Sequence, residues 1–351
     1  MIPYPGRQIP VSVVTGFLGA GKTTLLARLL RHPRFRRTAV VINEFGEVPL
    51  DHELVEAVEE DVVEISGGCL CCTVRGDLAR AIGALDRRRR HDEAPAFERL
   101  LIETTGLADP APILHTLMAD PMIDDGYRLD GVIALVDAVT GLATLDRQPE
   151  AVKQLAMADR ILVTKTDLTG DRIPVMLADR IAALAPTATV ACANRGQTDP
   201  DRLFDLGPWR TRTRQADIEC WPGEAARAHG HQHAHGHDPN RHGEAIRAFC
   251  LRRSDPVTTD ALLLFLELLT GSAGPNLLRM KGIIRLAEEP DRPVVLHMVQ
   301  HLFHEPLRLE AWPSADRDTR LVFVVHGIEA ASIAKLFDTL AATCRPAGRG
   351  R

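Results

Sequence analysis

Along roughly the first two hundred residues, short and almost continuous apolar runs alternate with longer stretches whose apolar residues recur at helical spacing. Runs of this kind are typical of parallel strands that are covered on both faces. The predicted strands span Ile9–Thr15, Thr38–Phe45, Phe97–Thr104, Gly131–Asp137 and Asp159–Lys165. Because helical patterns lie between most of them, the sequence predicts an α/β domain with a doubly wound, mostly parallel sheet.

The C-terminal part of the chain carries a second set of strand-like and helical segments. The strand-like segments span residues 244–257, 277–286, 293–303 and 320–327, and the helical segments span residues 258–271 and 329–344. Thr259 is the predicted N-cap of the first helix, since its hydroxyl can accept a hydrogen bond from a backbone N–H group. This set predicts a smaller α+β domain with an antiparallel sheet, in which His297, His301 and His304 are surface or sheet-face residues rather than metal ligands.

A histidine-rich stretch separates these two parts. Six of the fourteen histidines of the chain fall within it, at His229, His231, His233, His235, His237 and His242. Their small and polar neighbours predict a flexible linker over residues 216–243, between domains at 1–215 and 244–346. Neutral imidazoles on such a segment bind Zn²⁺, Ni²⁺ or Co²⁺ with modest affinity, which makes the stretch a candidate auxiliary metal site. A spacer that only keeps the chain soluble is the alternative.

Composition and charge narrow the class of protein. The chain has 351 residues, of which 45% are hydrophobic and 25% are charged, as in an ordinary soluble protein. The net charge of −5 argues against a nucleic-acid partner, because phosphate backbones favour basic surfaces. No apolar stretch reaches membrane-spanning length and the N-terminus lacks a signal-peptide core. We therefore expect a cytoplasmic protein with reduced thiols and no membrane partner, whose oligomeric state stays open.

A glycine-rich turn joins the first predicted strand to a helix. Its pattern is G-x-x-x-x-G-K-T, which ends in the catalytic candidates Lys22 and Thr23. In such a loop, backbone N–H groups surround phosphate oxygens, the lysine reaches the β- and γ-phosphates, and the threonine hydroxyl binds Mg²⁺. The residues predicted to bind the phosphates are Gly16, Gly19, Ala20, Gly21, Lys22, Thr23 and Thr24. The predicted fold class is therefore that of a P-loop nucleotide-hydrolysing domain.

Two later strand ends add candidate nucleotide ligands, because ligands of such sheets bind at the carboxyl ends of the strands. Glu103 ends the segment "LLIE", where a nucleotide-hydrolysing domain carries its Mg²⁺-directed carboxylate, and it is the third catalytic candidate. Lys165 and Asp167 in "TKTD" fit the guanine-reading pattern, in which the aspartate accepts hydrogen bonds from N1–H and the 2-amino group of the base. Thr164 departs from that pattern, whose first residue is usually Asn. The segment favours GTP over ATP.

Three cysteines, Cys69, Cys71 and Cys72, lie in the segment "GGCLCC", and their spacing allows two or three sulfurs to bind one soft cation such as Zn²⁺. A redox pair at C-x-x-C spacing and an inert buried cluster are the alternatives. With fewer than four thiols the metal site would stay open, as metal exchange requires. Further candidate ligands that lie near in sequence are Glu44, Glu47 and His115.

Taken together, these segments resemble the family of GTP-dependent metal chaperones named after the cobalamin-synthesis protein CobW, a group of P-loop GTPases that serve metalloenzyme maturation. The matching segments occur in the family's order and extend past the linker, so the resemblance covers nearly the whole chain. They are "GFLGAGKTTLL", "INEFGE", "GGCLCC", "ETTGLADP", "DGVIALVDA", "TKTD" and "LLRMKGIIRL".

The resemblance implies a GTPase that holds a metal at its C-x-C-C motif and transfers it to a client metalloprotein with GTP hydrolysis. The implied cofactors are GTP, Mg²⁺ and Zn²⁺, with Co²⁺ as the alternative metal. The implied ligands are Lys22 and Thr23 for phosphate and Mg²⁺, Lys165 and Asp167 for guanine, and the three cysteines for the transferred metal. Other functions stay open: a regulatory GTPase or thiol sensor whose cysteines oxidise, cobalt insertion into cobalamin or a cobalt enzyme, and a passive metal store.

Overall fold

The structure is a computed structural model that describes residues 8–35, 37–42, 62–64, 74–91, 97–120, 123, 126–193, 198–199, 203–204, 246–303 and 306–343. The chain divides into two compact units, one formed by residues 1–182 and 188–208 and the other by residues 183–187 and 209–351. The predicted linker over residues 216–243 lies outside the described residues, so the predicted domain boundaries stay predictions.

The first unit is built on a parallel sheet. Among the described residues, its seven strands are β1 (Ile9–Gly16), β2 (Thr38–Ile42), β3 (Val62–Glu64), β4 (Arg99–Glu103), β5 (Tyr127–Asp137), β6 (Arg160–Thr164) and β7 (Thr189–Ala193). They pair in the order β3-β2-β4-β1-β5-β6-β7, and every pair is parallel. This order confirms the predicted fold class, and it aligns the carboxyl ends of the strands along one edge of the sheet.

In the part of the chain that the structure describes, six helices accompany this sheet. They are α1 (Lys22–Leu30), α2 (Val74–Arg90), α3 (Ala111–Ala119), α4 (Gly141–Arg147), α5 (Pro149–Ala156) and α6 (Val175–Leu184). Helix α1 buries Leu25 and Leu26 in one apolar cluster with Val14 of β1 and Ile133 of β5. Strand β1 is buried at every position but one, which explains why its sequence is a nearly continuous apolar run.

Strand β5 is longer than its apolar run predicts. It begins at Tyr127, before the predicted start, because the buried carboxylate of Asp130 finds partners inside the sheet. The Ser12 hydroxyl donates a hydrogen bond to Asp130 at 3.1 Å, and the guanidinium groups of Arg99 and Arg128 lie 3.5 and 3.6 Å from it. A charged residue in a central strand is thus stabilised by neighbours that the local pattern does not reveal.

The second unit is built on an antiparallel sheet. Its strands are β8 (Ile246–Arg253), β9 (Leu277–Ile284), β10 (Val294–Val299), β11 (Leu302–Phe303), β12 (Leu307–Arg308) and β13 (Thr319–His326). They pair in the order β11-β10-β9-β13-β8, and β12 also pairs with β10. Helices α7 (Thr259–Ala273) and α8 (Ala330–Thr343) share one apolar core with the sheet, where Phe265 and Phe337 meet at a ring-centroid distance of 5.1 Å. The α+β prediction is confirmed.

No helix in the described ranges is both long enough and apolar enough to cross a membrane.

Two local predictions for this unit are wrong. The predicted single strand over residues 293–303 is a hairpin of β10 and β11, because Gln300 has a φ of 52° and turns the chain. The N-cap of α7 is Thr258 rather than Thr259, since the Thr258 hydroxyl accepts a hydrogen bond from the N–H group of Ala261 at 3.3 Å.

The three histidines of this unit lie in different places. His297 lies on β10, is buried, and contacts the Arg279 guanidinium of β9, whose Nε lies 3.2 Å from its Nε2 atom. His301 is exposed, and His304 lies outside the described residues. The position of His297 agrees with the interpretation that it belongs to a sheet face.

Candidate functional site

The glycine-rich turn between β1 and α1 needs backbone conformations that favour glycine. Gly16, Gly19 and Gly21 have φ values of 142°, 73° and 94°. A Cβ atom on Gly16 would lie 2.6 Å from the carbonyl oxygen of Leu135 on β5, so only glycine lets the turn begin this close to the sheet. The backbone therefore has the tight turn that a phosphate-binding loop requires.

Lys22 opens helix α1, and its ammonium group lies within the turn. The residue is 9% exposed, and its Nζ donates to the carbonyl oxygens of Gly16 at 2.8 Å and Phe17 at 3.3 Å. Thr23 is half-buried beside it, and Thr24 is exposed. A cation held at the positive N-terminal end of a helix is suited to phosphate oxygens.

The carboxylate predicted to face Mg²⁺ lies on the adjacent strand. Glu103 is the last residue of β4, is 4% exposed, and pairs in register with Val14 of β1. The next residue, Thr104, donates its N–H group to the Val14 carbonyl oxygen at 2.9 Å and its hydroxyl to that of Thr15 at 2.8 Å. These bonds join the two strands up to the start of the glycine turn, so that Glu103 ends its strand next to the strand that leads into the turn.

The loop that follows Glu103 is pressed against the glycine turn. A Cβ atom on Gly106 would lie 2.7 Å from the backbone nitrogen of Leu18, so a larger residue could not enter without moving the loop. The buried Gln154 of α5 donates its side-chain amide to the carbonyl oxygens of Gly106 and Ala108, both at 3.0 Å. The loop therefore lies between the glycine turn and α5, and a movement of either would be transmitted to it.

The predicted base-recognition segment follows β6 at the same edge of the sheet. The hydroxyl of Thr164, which stands where such segments usually carry Asn, donates to the carbonyl oxygen of Ala20 at 2.8 Å. Thr164 thereby ties this segment directly to the glycine turn. Lys165 has a φ of 57° and precedes the 3-10 turn Thr166–Thr169, on which Asp167 is exposed. The two predicted parts of a nucleotide site are thus neighbours in the fold.

Removing the Thr164 hydroxyl should weaken this connection. Thr164→Val keeps the side-chain volume but leaves the Ala20 carbonyl oxygen without this donor, so we expect the free energy of unfolding to fall by about 1 kcal/mol and nucleotide affinity to fall with it. Thr164→Asn, whose amide can donate to the same oxygen, should restore both. Chemical denaturation and nucleotide titration measure the two effects. Equal nucleotide affinity in all three proteins would show that this bond does not organise the site.

Most of the predicted metal ligands lie outside the described residues. These are Cys69, Cys71, Cys72, Glu44 and Glu47, together with the auxiliary ligands His229, His231, His233, His235 and His237. His115 lies in α3 and is 5% exposed. Within the described ranges, no group of three or more His, Cys, Asp or Glu side chains is placed to bind a metal ion. The metal site stays a prediction from the sequence.

Family models match both parts of the chain. Residues 10–191 match the family described as "CobW/HypB/UreG, nucleotide-binding domain", and residues 246–341 match the "Cobalamin synthesis protein cobW C-terminal domain". The Escherichia coli protein named zinc chaperone YjiA is 33% identical over 303 residues, which cover 85% of this chain and 88% of that protein. The Schizosaccharomyces pombe protein named zinc-regulated GTPase metalloprotein activator 1 is 32% identical over 206 residues, which cover 56% of this chain and 49% of that protein.

A solved structure shares the architecture of both units. The crystal structure of the Zn(II)-bound YjiA GTPase from E. coli superposes with a TM-score of 0.72 at 26% identity, over 95% of this chain and 99% of that one. The first family model alone spans more than half of the chain. The chain therefore belongs to the CobW/HypB/UreG family of nucleotide-binding proteins.

Proposed function

We propose that the protein is a GTP-hydrolysing zinc metallochaperone, which binds the metal at its C-x-C-C motif and transfers it to a client metalloprotein. The observation that carries this proposal is the hydrogen bond from Thr164 to Ala20, because it joins the glycine turn to the segment that is predicted to read guanine. The names of the relatives, zinc chaperone and zinc-regulated GTPase metalloprotein activator, support zinc as the cargo. Thiolates at the spacing of Cys69, Cys71 and Cys72 are suitable ligands for it, and Co²⁺ is the alternative cargo.

In this proposal the triphosphate lies in the turn from Gly16 to Thr24, with the Lys22 ammonium against the β- and γ-phosphates. The Thr23 hydroxyl and the Glu103 carboxylate would hold Mg²⁺, and the ion would supply positive charge to the phosphoryl oxygens. Lys165 and Asp167 bind the guanine base. The Asp167 carboxylate accepts hydrogen bonds from N1–H and the 2-amino group of guanine, and adenine offers no such pair of donors.

Hydrolysis acts on the metal through the loop that follows Glu103. Gly106 of this loop has no spare room against Leu18 of the glycine turn, so a turn that changes shape when the γ-phosphate leaves must move the loop. The segments that carry Glu44, Glu47 and the three cysteines follow β2 and β3, and the end of β2 pairs in register with Glu103. A metal site that is assembled in one nucleotide state and opened in the other can both hold and deliver its cargo.

The remaining candidate ligands have supporting parts in this proposal. His115 and the two glutamates complete the coordination of the cargo beside the thiolates, and the histidines of residues 229–242 gather metal when it is scarce. The protein acts in the cytoplasm, where thiols stay reduced, and its partner is a client metalloprotein rather than a nucleic acid or a membrane.

Asp167→Asn tests the nucleotide assignment. Asparagine places an amide where guanine requires an acceptor, so we expect affinity for GTP to fall at least about tenfold, and affinity for xanthosine triphosphate, whose C2 carries an oxygen, to rise. Displacement of a fluorescent GDP analogue measures both, with ATP as a further competitor. Asp146→Asn, at an exposed position on α4, is the control that should change neither. Equal binding of ATP and GTP by the unmodified protein would contradict a guanine site.

A further inference from the structure

Asp137 is the last residue of β5, the strand that lies between β1 and β6 in the sheet. Its register partner on β6 is Thr164. The Asp137 side chain is 9% exposed, and its Oδ1 atom accepts the backbone N–H groups of Val139 at 2.7 Å and Thr140 at 3.2 Å. These two bonds hold the carboxylate in place at the end of β5.

The other carboxylate oxygen holds the lysine of the base-recognition segment. Lys165 Nζ lies 2.5 Å from Asp137 Oδ2, while the lysine side chain as a whole is 41% exposed. The backbone of Lys165 lies in the left-handed region, with a φ of 57°, which residues other than glycine adopt only where their surroundings hold them. The charged end of this side chain is thus engaged within the fold, and a large part of the side chain faces solvent.

The ion pair persists at neutral pH. Burial raises the pKa of the Asp137 carboxyl, but the hydrogen bonds from Lys165 and from two backbone N–H groups outweigh burial, so the pKa lies below its usual value. A carboxyl group with such a pKa is ionised at neutral pH.

We propose that Asp137 is the positioning residue of the base site. It holds the Lys165 ammonium close to the end of β5, and the methylene stem of the lysine then forms a fixed apolar surface for the purine ring. This inference rests on the proposed guanine site. A lysine stem is apolar although its end is charged, and a stem whose end is held in place can support a flat ring. Because Asp137 engages the ammonium, Lys165 contributes contact area that is the same for every purine. Discrimination for guanine is then left to Asp167.

A double-mutant cycle on the ion pair tests this inference. Kd values for GTP and inosine triphosphate are measured for the unmodified protein, Asp137→Asn, Lys165→Met and the double variant. We expect Asp137→Asn to raise the Kd of both nucleotides about tenfold, which corresponds to about 1.4 kcal/mol, and to leave their ratio unchanged. The rise should appear in KM, with kcat at saturating GTP changed less than about twofold. In the Lys165→Met background, Asp137→Asn should have no further effect, since the two residues act as one unit.

A control variant and a folding measurement show whether a change in Kd is specific to the ion pair between Asp137 and Lys165. Asp338→Asn breaks a comparable ion pair, in which Asp338 accepts from Arg253 at 2.6 and 2.7 Å in the second unit, and should leave both Kd values unchanged. Thermal unfolding is recorded for every variant. If Asp137→Asn does not fold, a Kd that differs between Lys165→Met and the double variant would overturn the inference.

An unmodified protein that binds no guanine nucleotide would overturn the proposed function and this inference together. Normal GTP binding with an unchanged Kd in Asp137→Asn would overturn the inference alone. An altered ratio of the two Kd values, or additive effects in the double variant, would also overturn it, because Asp137 would then read the base itself or act independently of Lys165.

Discussion

Lys22→Ala is expected to abolish GTP hydrolysis. The Lys22 ammonium lies inside the phosphate loop, where it donates to the carbonyl oxygens of Gly16 and Phe17 at 2.8 and 3.3 Å. In the proposed site it faces the β- and γ-phosphates and stabilises the charge that grows on them as the bond breaks. Removing one preorganised donor of this kind typically lowers kcat about 100- to 1000-fold. We therefore expect phosphate release at saturating GTP to fall at least about 100-fold.

Two further variants test whether the loss of hydrolysis is due to the Lys22 ammonium itself. Lys335→Ala removes an exposed lysine from α8 and should leave hydrolysis unchanged. Lys22→Arg keeps the charge, but a planar guanidinium cannot replace a compact ammonium in so tight a turn, so its activity should also be low. Circular dichroism shows whether each variant is folded. A folded Lys22→Ala protein that hydrolyses GTP within a few-fold of the unmodified rate would show that the phosphate loop is wrongly assigned.

The glycine turn could be predicted because its signature is local. The glycines, Lys22 and Thr23 stand at fixed spacing between an apolar run and a helical pattern, and the left-handed conformations of the glycines follow from the same turn. Five strands of the parallel sheet were predictable for a similar reason, since most of each strand is a nearly continuous apolar run, whereas β3 and β7 were not predicted. Where the run is broken, as at Asp130 in β5, the local pattern places the start of the strand too late.

The contacts that join the strand ends could not be predicted, because the partners are distant in sequence. Thr164 and Ala20 are separated by 144 positions, Gln154 and Gly106 by 48, and Lys165 and Asp137 by 28. Asparagine is the usual residue in place of Thr164, so the sequence alone suggests a weakened site, whereas the structure shows a hydroxyl that bonds to the phosphate loop. Gln154 has no sequence signal, since a glutamine in an amphipathic helix resembles an ordinary surface residue.

The cysteine segment follows β3 in sequence, and β3 belongs to the same sheet as β1. Strand β3 ends at Glu64, and β3 lies three places from β1 in the sheet order. Neighbouring strands lie about 4.8 Å apart, so three spacings amount to about 14 Å. Cys69 follows Glu64 by five residues, and an extended chain covers about 3.3 to 3.6 Å per residue. The proposed function requires a nucleotide-dependent movement near Glu103 to act on the thiols.

Metal affinity should consequently depend on the nucleotide. With Mg²⁺ and a non-hydrolysable GTP analogue bound, we expect Zn²⁺ to bind at Cys69, Cys71 and Cys72 at least about tenfold more tightly than with GDP, a difference of only about 1.4 kcal/mol. By linkage, Zn²⁺ must tighten binding of the GTP analogue by the same factor. Affinity should also fall as pH falls, because each thiol must lose its proton before it coordinates the metal.

Replacing the three cysteines with serine should remove the tight metal site and leave GTP binding without metal nearly unchanged. Cys192→Ser, which changes an exposed cysteine on β7, is the matched control and should keep the tight site. Competition against a chromophoric chelator, with Zn²⁺ and with Co²⁺ in each nucleotide state, measures the affinities and shows which metal the nucleotide controls. If the metal binds with equal affinity in the presence of GDP and of the GTP analogue, then GTP hydrolysis does not control metal delivery. The cysteines would then form a thiol sensor or a metal store, because a chaperone can release a tightly held metal on demand only if the nucleotide changes how tightly it is held.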